Sequence, residues 1–161
     1  MVTELKLRKA PADIKDDAAL FGPDGLGIDS LDGTSAVVIE AEEHALARGA
    51  AAIATLAGWW SGVALEEWCP PTPVHAARAI IVLSRADEAV VAHLVEHGWA
   101  GVPVLLASPR SGDHDSVGGI ALAAAVGALV KGSVDEALVV ERASGRWTAT
   151  RLGRAPVLAP P

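Results

Sequence analysis

Three kinds of side chain in this sequence stand where chemistry could be done. Ser30, in "GIDSLD", follows an aspartate and sits between acids, so its hydroxyl would stand at a helix start on an exposed loop within reach of a modifying enzyme. Flanking carboxylates there offer a docking surface for a basic protein face. "HLVEH", His93 to His97, has a spacing at which two imidazoles one helical turn apart hold zinc while the glutamate serves as base. The third is Cys69 in "EEWCPPTP", the only cysteine, whose surroundings lack the small residues that expose a nucleophile at a helix start. It reads as an inert thiol. "GPDGLG" lacks the lysine and the serine or threonine of a phosphate-binding loop and follows no predicted strand.

These residues need a scaffold, and the composition can fill one. The chain has 161 residues, of which 51% are apolar, enough for one domain with a real core. Its net charge of −7 gives no electrostatic drive toward a phosphate backbone, and its five tryptophans have no basic stripe beside them. Nucleic acid is not an expected partner, and the tryptophans read as packing residues. A single cysteine cannot form an internal disulfide, and "MVTELKLRKAPADIKDD" has no apolar core of a secretory signal. A cytoplasmic location is the expectation. The longest apolar run, "GGIALAAAVGALV", is too short and too rich in alanine and glycine to span a bilayer, so no membrane is expected either.

The elements follow from the pattern. Leu5 to Asp32 is polar and broken by Pro11, Pro23 and glycines, an arm with short helical turns. "SAVVIE" is a strand-length run, "AEEHALARG" a short helix stopped by Gly49, and "AAIATLAGWW" a further strand. The prolines of "EEWCPPTPVHAA" forbid regular structure and mark a linker. Beyond it, "AIIVLS" reads as a buried strand and "ADEAVVAHLVEHG" as an amphipathic helix with Ala89, Val90, Leu94 and Val95 toward the core. "VPVLLAS" is a strand, "PRSGDHDSVGG" a loop and "IALAAAVGALVKG" a helix; "EALVVERASGRWTATRL" is a hairpin turned at Ser144 and Gly145. The expected architecture is a layered α/β domain over residues 35–152, after an irregular arm over 1–34 and before a loose tail over 153–161.

Two family resemblances overlap in this chain. From Leu5 to Asp32, the elements Leu5, Leu7, Pro11, Asp13, Ile14, Asp17, Leu20, Phe21, Gly22, Leu26, Gly27, Ile28, Asp29, Ser30, Leu31 and Asp32 resemble an acyl carrier protein around its modification site. That resemblance implies Ser30 as the attachment point of a 4′-phosphopantetheine arm. At the residue level, Asp29 or Ser30 as the cap of a turn is the competing reading.

"GIDSLDGTSAVVIEAEEHALARGAAAIATLAGW" resembles the segment of β-ketoacyl synthases in which a glycine-rich turn leads to a core strand, a helix ending in Ala-Arg-Gly-Ala and a further strand. The likeness extends through "CPPTPVHAARAI", similar to the family's proline-containing crossover, to the small-residue helix and the closing hairpin, and so covers Gly25 to Leu152. It implies a thiolase-like partial fold with a mixed sheet and packed helices. The family condenses acyl and malonyl thioesters with a cysteine nucleophile and two histidines. "VEHGWAGVP" resembles the family's His-Gly-Thr-Gly-Thr turn through His97, Gly98 and Gly101, and His114, after Arg110, lies where the second histidine is expected. Taken by themselves, His97 fits a helix carboxyl end favoured by the dipole and His114 a solvated loop. The nucleophilic cysteine has no counterpart here. "HLVEH" is also similar to the motif of inverted zinc peptidases, but no other part of such an enzyme accompanies it, and no metal is expected.

These resemblances imply a ketosynthase-like, non-condensing partner or accessory protein in fatty acid or polyketide assembly. It would pair with an acyl carrier protein or a ketosynthase subunit as a homo- or hetero-oligomer. The alternatives are a carrier-type module carrying 4′-phosphopantetheine at Ser30, and a malonyl-thioester decarboxylase using His97 and His114.

Overall fold

The computed structural model describes residues 39–50, 52–108, 117–143 and 145–155. Their scaffold is one five-stranded sheet in the order β1-β5-β4-β2-β3. The strands are β1 Ala54–Gly62, β2 Ala79–Leu83, β3 Val104–Leu106, β4 Glu136–Ala143 and β5 Arg146–Arg154. β2 runs parallel to both β3 and β4, whereas β5 runs antiparallel to β4 and to β1. The α/β class and the mixed sheet expected from the sequence are therefore present.

β2 and the first half of β4 are apolar at consecutive positions because helices cover both faces. Ile81, Leu83, Leu138 and Val140 point to one face and pack with Val90 and Leu94 of α2 (Glu88–Leu94), together with Trp68, Trp99 and Trp147. Val82, Ala137 and Val139 point to the other and meet Val117, Ala121, Ala125 and Leu129 of the helix Val117–Val130. That helix is α3 here; α1 is Glu42–Ala47, closed at Gly49 with φ +70° as its glycine predicts.

The β4–β5 hairpin forms where expected, with Ala143 paired to Arg146 and Gly145 at φ +75° in the turn. β5 continues through Gly153 and Arg154. The strand predicted over Ser35–Glu40 lies outside the described residues except for Ile39 and Glu40, which join no strand.

Three expectations change. The proline-rich stretch is not a linker between bodies: it connects β1 to β2 of the same sheet, and Trp68 and Pro70 within it are fully buried. In α2 only Val90 and Leu94 of the four expected residues are buried, while Ala89 is exposed and Val95 is 48% exposed. The cause is local. The helix is capped by the Asp87 carboxylate, which accepts the Val90 amide at 3.1 Å, and widens after Leu94 into a π-type turn, Val95–Trp99, so Trp99 takes the space a longer helix would have filled. Gly98 closes that turn at φ +87°, where a Cβ would overlap Thr72 Cγ2. Lastly, Trp59 is not a packing residue, being 61% exposed on the edge strand β1.

Candidate functional site

The parallel neighbours β3, β2 and β4 end together, and the carboxyl edge of parallel strands is where α/β sheets leave room for ligands. Backbone bonds knit that edge. The Ser84 amide donates to Val140 O at 3.0 Å, and the Ser108 amide donates to Ser84 O at 3.0 Å. Ser84 is thereby held 3% exposed at the floor of a cleft of about 200 Å³. Arg85, Asp87, Arg142 and Trp147 form the rest of its polar and aromatic lining.

The sequence dictates this arrangement locally. Asp87 is committed to capping α2, which fixes the short Ser84–Ala86 bend between strand and helix. Arg85 reaches across that bend to donate to Arg142 O at 3.3 Å. The Arg142 guanidinium stands 5.1 Å from the centroid of the Trp147 ring, its cross-strand partner. A hydroxyl, two guanidinium groups and an indole suit an anionic group joined to an apolar body. The residues lining the cleft include no thiol and no imidazole.

On the opposite face of β4, Glu141 accepts a hydrogen bond from Thr148 Oγ1 at 3.2 Å and lies against the first turn of α3. A Cβ at Gly118 would require that carboxylate to shift.

His97 lies at the other end of the α2 crossover. Its Nδ1–H donates to His93 O at 2.7 Å, and His93 Nε2–H donates to Trp68 O at 2.9 Å, tautomers assigned from the carbonyl acceptors. The two imidazole centroids are 4.2 Å apart, and the Trp68 ring lies 5.3 Å from that of His93. This cluster sits near the amino ends of the strands, where Glu136 opens β4 and pairs with Arg151 at 2.8 Å. Arg151 also donates to Pro71 O and Thr72 O, tying the proline-rich stretch to β5.

Beside it Arg78 donates to both oxygens of Asp135 at 2.8 and 3.0 Å. That hydrogen bonding holds the Asp135 carboxyl down at about 2. The "HLVEH" spacing thus builds a pair of tied imidazoles. Among the described residues no group of three or more histidine, cysteine or acidic side chains is placed to hold a metal ion.

Ser30 and His114 lie outside the described residues. Cys69 is exposed next to buried Trp68. Sequence reading had not singled out Ser84, Arg142 or Trp147, nor His93 as the tie between α2 and Trp68. A usable signal was present in "VLSRAD", a buried strand ending one short bend before an aspartate cap.

Comparison with known proteins bears on the fold alone. No family model matches the sequence, and no curated protein matches it. Among solved structures, a chain of the AntDE:AntF assembly superposes with a TM-score of 0.53 at 15% identity. That assembly is described as a type II polyketide synthase acyl carrier protein in complex with its ketosynthase bound to the hexaketide. The match covers 71% of this chain and 37% of that one, so the likeness is to part of a ketosynthase, thiolase-like chain. No helix among the described residues is long and apolar enough to cross a membrane.

Proposed function

We propose that this protein is a non-condensing, ketosynthase-like partner in polyketide or fatty acid assembly, acting beside a ketosynthase subunit and its acyl carrier protein. The observation that carries this reading is the mixed sheet, β1-β5-β4-β2-β3 with β5 antiparallel to its neighbours, together with its superposition on part of a ketosynthase chain. The cleft at the carboxyl edge supports a binding role: it offers guanidinium groups, a hydroxyl and an indole to an acyl thioester's polar end, and neither the thiol nor the imidazoles of a condensing site. The test is reconstitution with a type II ketosynthase and malonyl-loaded carrier. Alone, the protein should neither condense nor decarboxylate; added to the synthase, it should co-elute with it and change the product length seen by mass spectrometry. Condensation by the protein alone, or no association with either component, would overturn the reading.

The Leu5–Asp32 likeness favours a second reading, in which Ser30 carries 4′-phosphopantetheine. Incubation with coenzyme A and a broad-specificity phosphopantetheinyl transferase should then add one phosphopantetheine to the intact mass, and Ser30→Ala should abolish the gain. Turnover of malonyl carrier by the protein alone, lost in His114→Ala, would instead point to a decarboxylase.

A further inference from the structure

Size limits what the cleft at the carboxyl edge can take. Its volume of about 200 Å³ lies below the roughly 300–1,000 Å³ of sites that bury drug-sized molecules, so it suits a ligand of a few carbon atoms. Leu83, Val90 and Val140 supply the apolar part of its lining and belong to the core on the α2 side of the sheet.

The polar part is arranged by strand alternation. Arg142 shares a face of β4 with Val140, while Glu141 points to the other face and accepts from Thr148 Oγ1. Arg142 therefore enters the cleft with no carboxylate beside it on its own strand. Its guanidinium stands 5.1 Å from the centroid of the Trp147 ring and makes no ion pair among the described residues. Contact with the indole holds the side chain in place without neutralising its charge. Ser84 is buried, and its amide and carbonyl are spent on the neighbouring strands. Its hydroxyl lines the cleft and has no hydrogen-bond partner among the described residues. Buried hydroxyls are normally paired, so an acceptor from a ligand suits this one.

We propose that the cleft binds a short-chain monocarboxylic acid, its carboxylate held by the Arg142 guanidinium and the Ser84 hydroxyl and its hydrocarbon laid against Trp147 and the apolar lining. Charge favours a carboxylate over a phosphate. Arg85, Arg142 and Asp87 line the same cleft, so its charged groups leave a single positive charge over. A carboxylate balances that charge and matches the planar guanidinium fork. A phosphate group, near two negative charges at neutral pH, would bring its excess against Asp87.

The test follows the side-chain N–H signals of Arg142 and Trp147 by heteronuclear NMR while the full chain is titrated with sodium butyrate. Both signals should shift together and saturate. Acetate, two methylenes shorter, should bind about tenfold more weakly, since each buried methylene is worth about fourfold. Butyramide, similar in shape but uncharged, and inorganic phosphate should leave both signals in place at the same concentrations. Arg142→Gln should weaken butyrate binding by about tenfold or more and Ser84→Ala by about threefold, read at Trp147 with far-UV spectra unchanged. Arg142→Lys, which keeps the charge and loses the fork, should fall between wild type and Arg142→Gln.

Shifts that never saturate would overturn the proposal. So would an equal response to butyramide or phosphate, or butyrate binding indifferent to Arg142→Gln. The proposal rests on the cleft and not on the polyketide reading: a protein that takes butyrate and ignores a ketosynthase would refute that reading alone, and one that joins a ketosynthase but not butyrate would refute only this.

Discussion

The two ends of the α2 crossover are built from similar materials and put them to different use. At the amino edge of the strands, Trp68, His93, His97 and Trp99 are stacked or buried, and each imidazole spends a ring N–H on a backbone carbonyl. At the carboxyl edge, Ser84, Arg142 and Trp147 surround a cleft. Histidine and tryptophan at one end hold a wide turn onto a proline-rich crossover. Arginine and tryptophan at the other line an open cleft. Residue type alone does not separate a site from a tie; what the polar atoms already bind does.

Substitutions should separate the two ends by the size of the stability loss. The largest effect is expected for Trp68→Ala, which empties a fully buried site and removes the surface against which His93 packs. It should cost about 3–5 kcal/mol in chemical denaturation. If the loss is below about 1 kcal/mol, the amino edge is not the tightly packed end.

Next comes Gly98→Ala. It forces both a positive φ and an overlap with Thr72, whereas Gly145→Ala, at a similar φ with open space around it, carries only the backbone penalty. About 1–3 kcal/mol is expected at Gly98, with Gly145 at the low end of that range. Equal losses in thermal melts would show that Thr72 yields freely.

His97→Ala removes one hydrogen bond to His93 O and should cost about 1 kcal/mol. Arg142→Ala, which removes only the contact over Trp147 and one side of the cleft, should cost no more than about 0.5–1 kcal/mol. If this order reverses, the carboxyl edge is the more structural of the two.

The smallest effect concerns pH. The Asp135 carboxyl is lowered from 3.8 to about 2, so its ionised form is favoured in the folded state. The stability this lends is present above the unfolded value and disappears as pH falls from about 4 toward 2. Asp135→Asn should flatten that part of the acid unfolding curve while leaving its neutral shape alone. An unchanged acid limb would mean that Arg78 and Asp135 do not stay paired in solution.

Much of the scaffold was legible because its signals are local. The runs "AIIVL" and "EALVV" have apolar residues at successive positions, as strands covered on both faces must, and Gly145 marks its hairpin by chain geometry alone. The core face of α2 was legible only in part. Periodicity identifies Val90 and Leu94, but not that the helix widens at Val95 to bring in Trp99, nor that Thr72 from a distant stretch leaves no room for a Cβ at Gly98. The cleft was hidden for a related reason. Ser84, Arg142 and Trp147 come together through the pairing of β2, β4 and β5, and no spacing within one segment announces that. His97 attracted notice through the residues beside it in sequence, while the contacts that define its surroundings come from His93 and Trp68.

The strand order also constrains how the chain must fold. β1 pairs only with β5 in the described sheet, Ala54 against Arg154, although β5 is the last of the described strands to be made. During synthesis, at the usual rate of elongation, β1 would wait roughly 5–20 s for the segment that completes its ladder. Its nine residues, "ATLAGWWSG", include no charge and no proline to discourage wrong pairing in that interval. The yield of native protein should therefore depend on how fast the ribosome delivers the β4–β5 hairpin, and a chain stalled before Arg146 should be a preferred client for chaperones that hold exposed apolar strands.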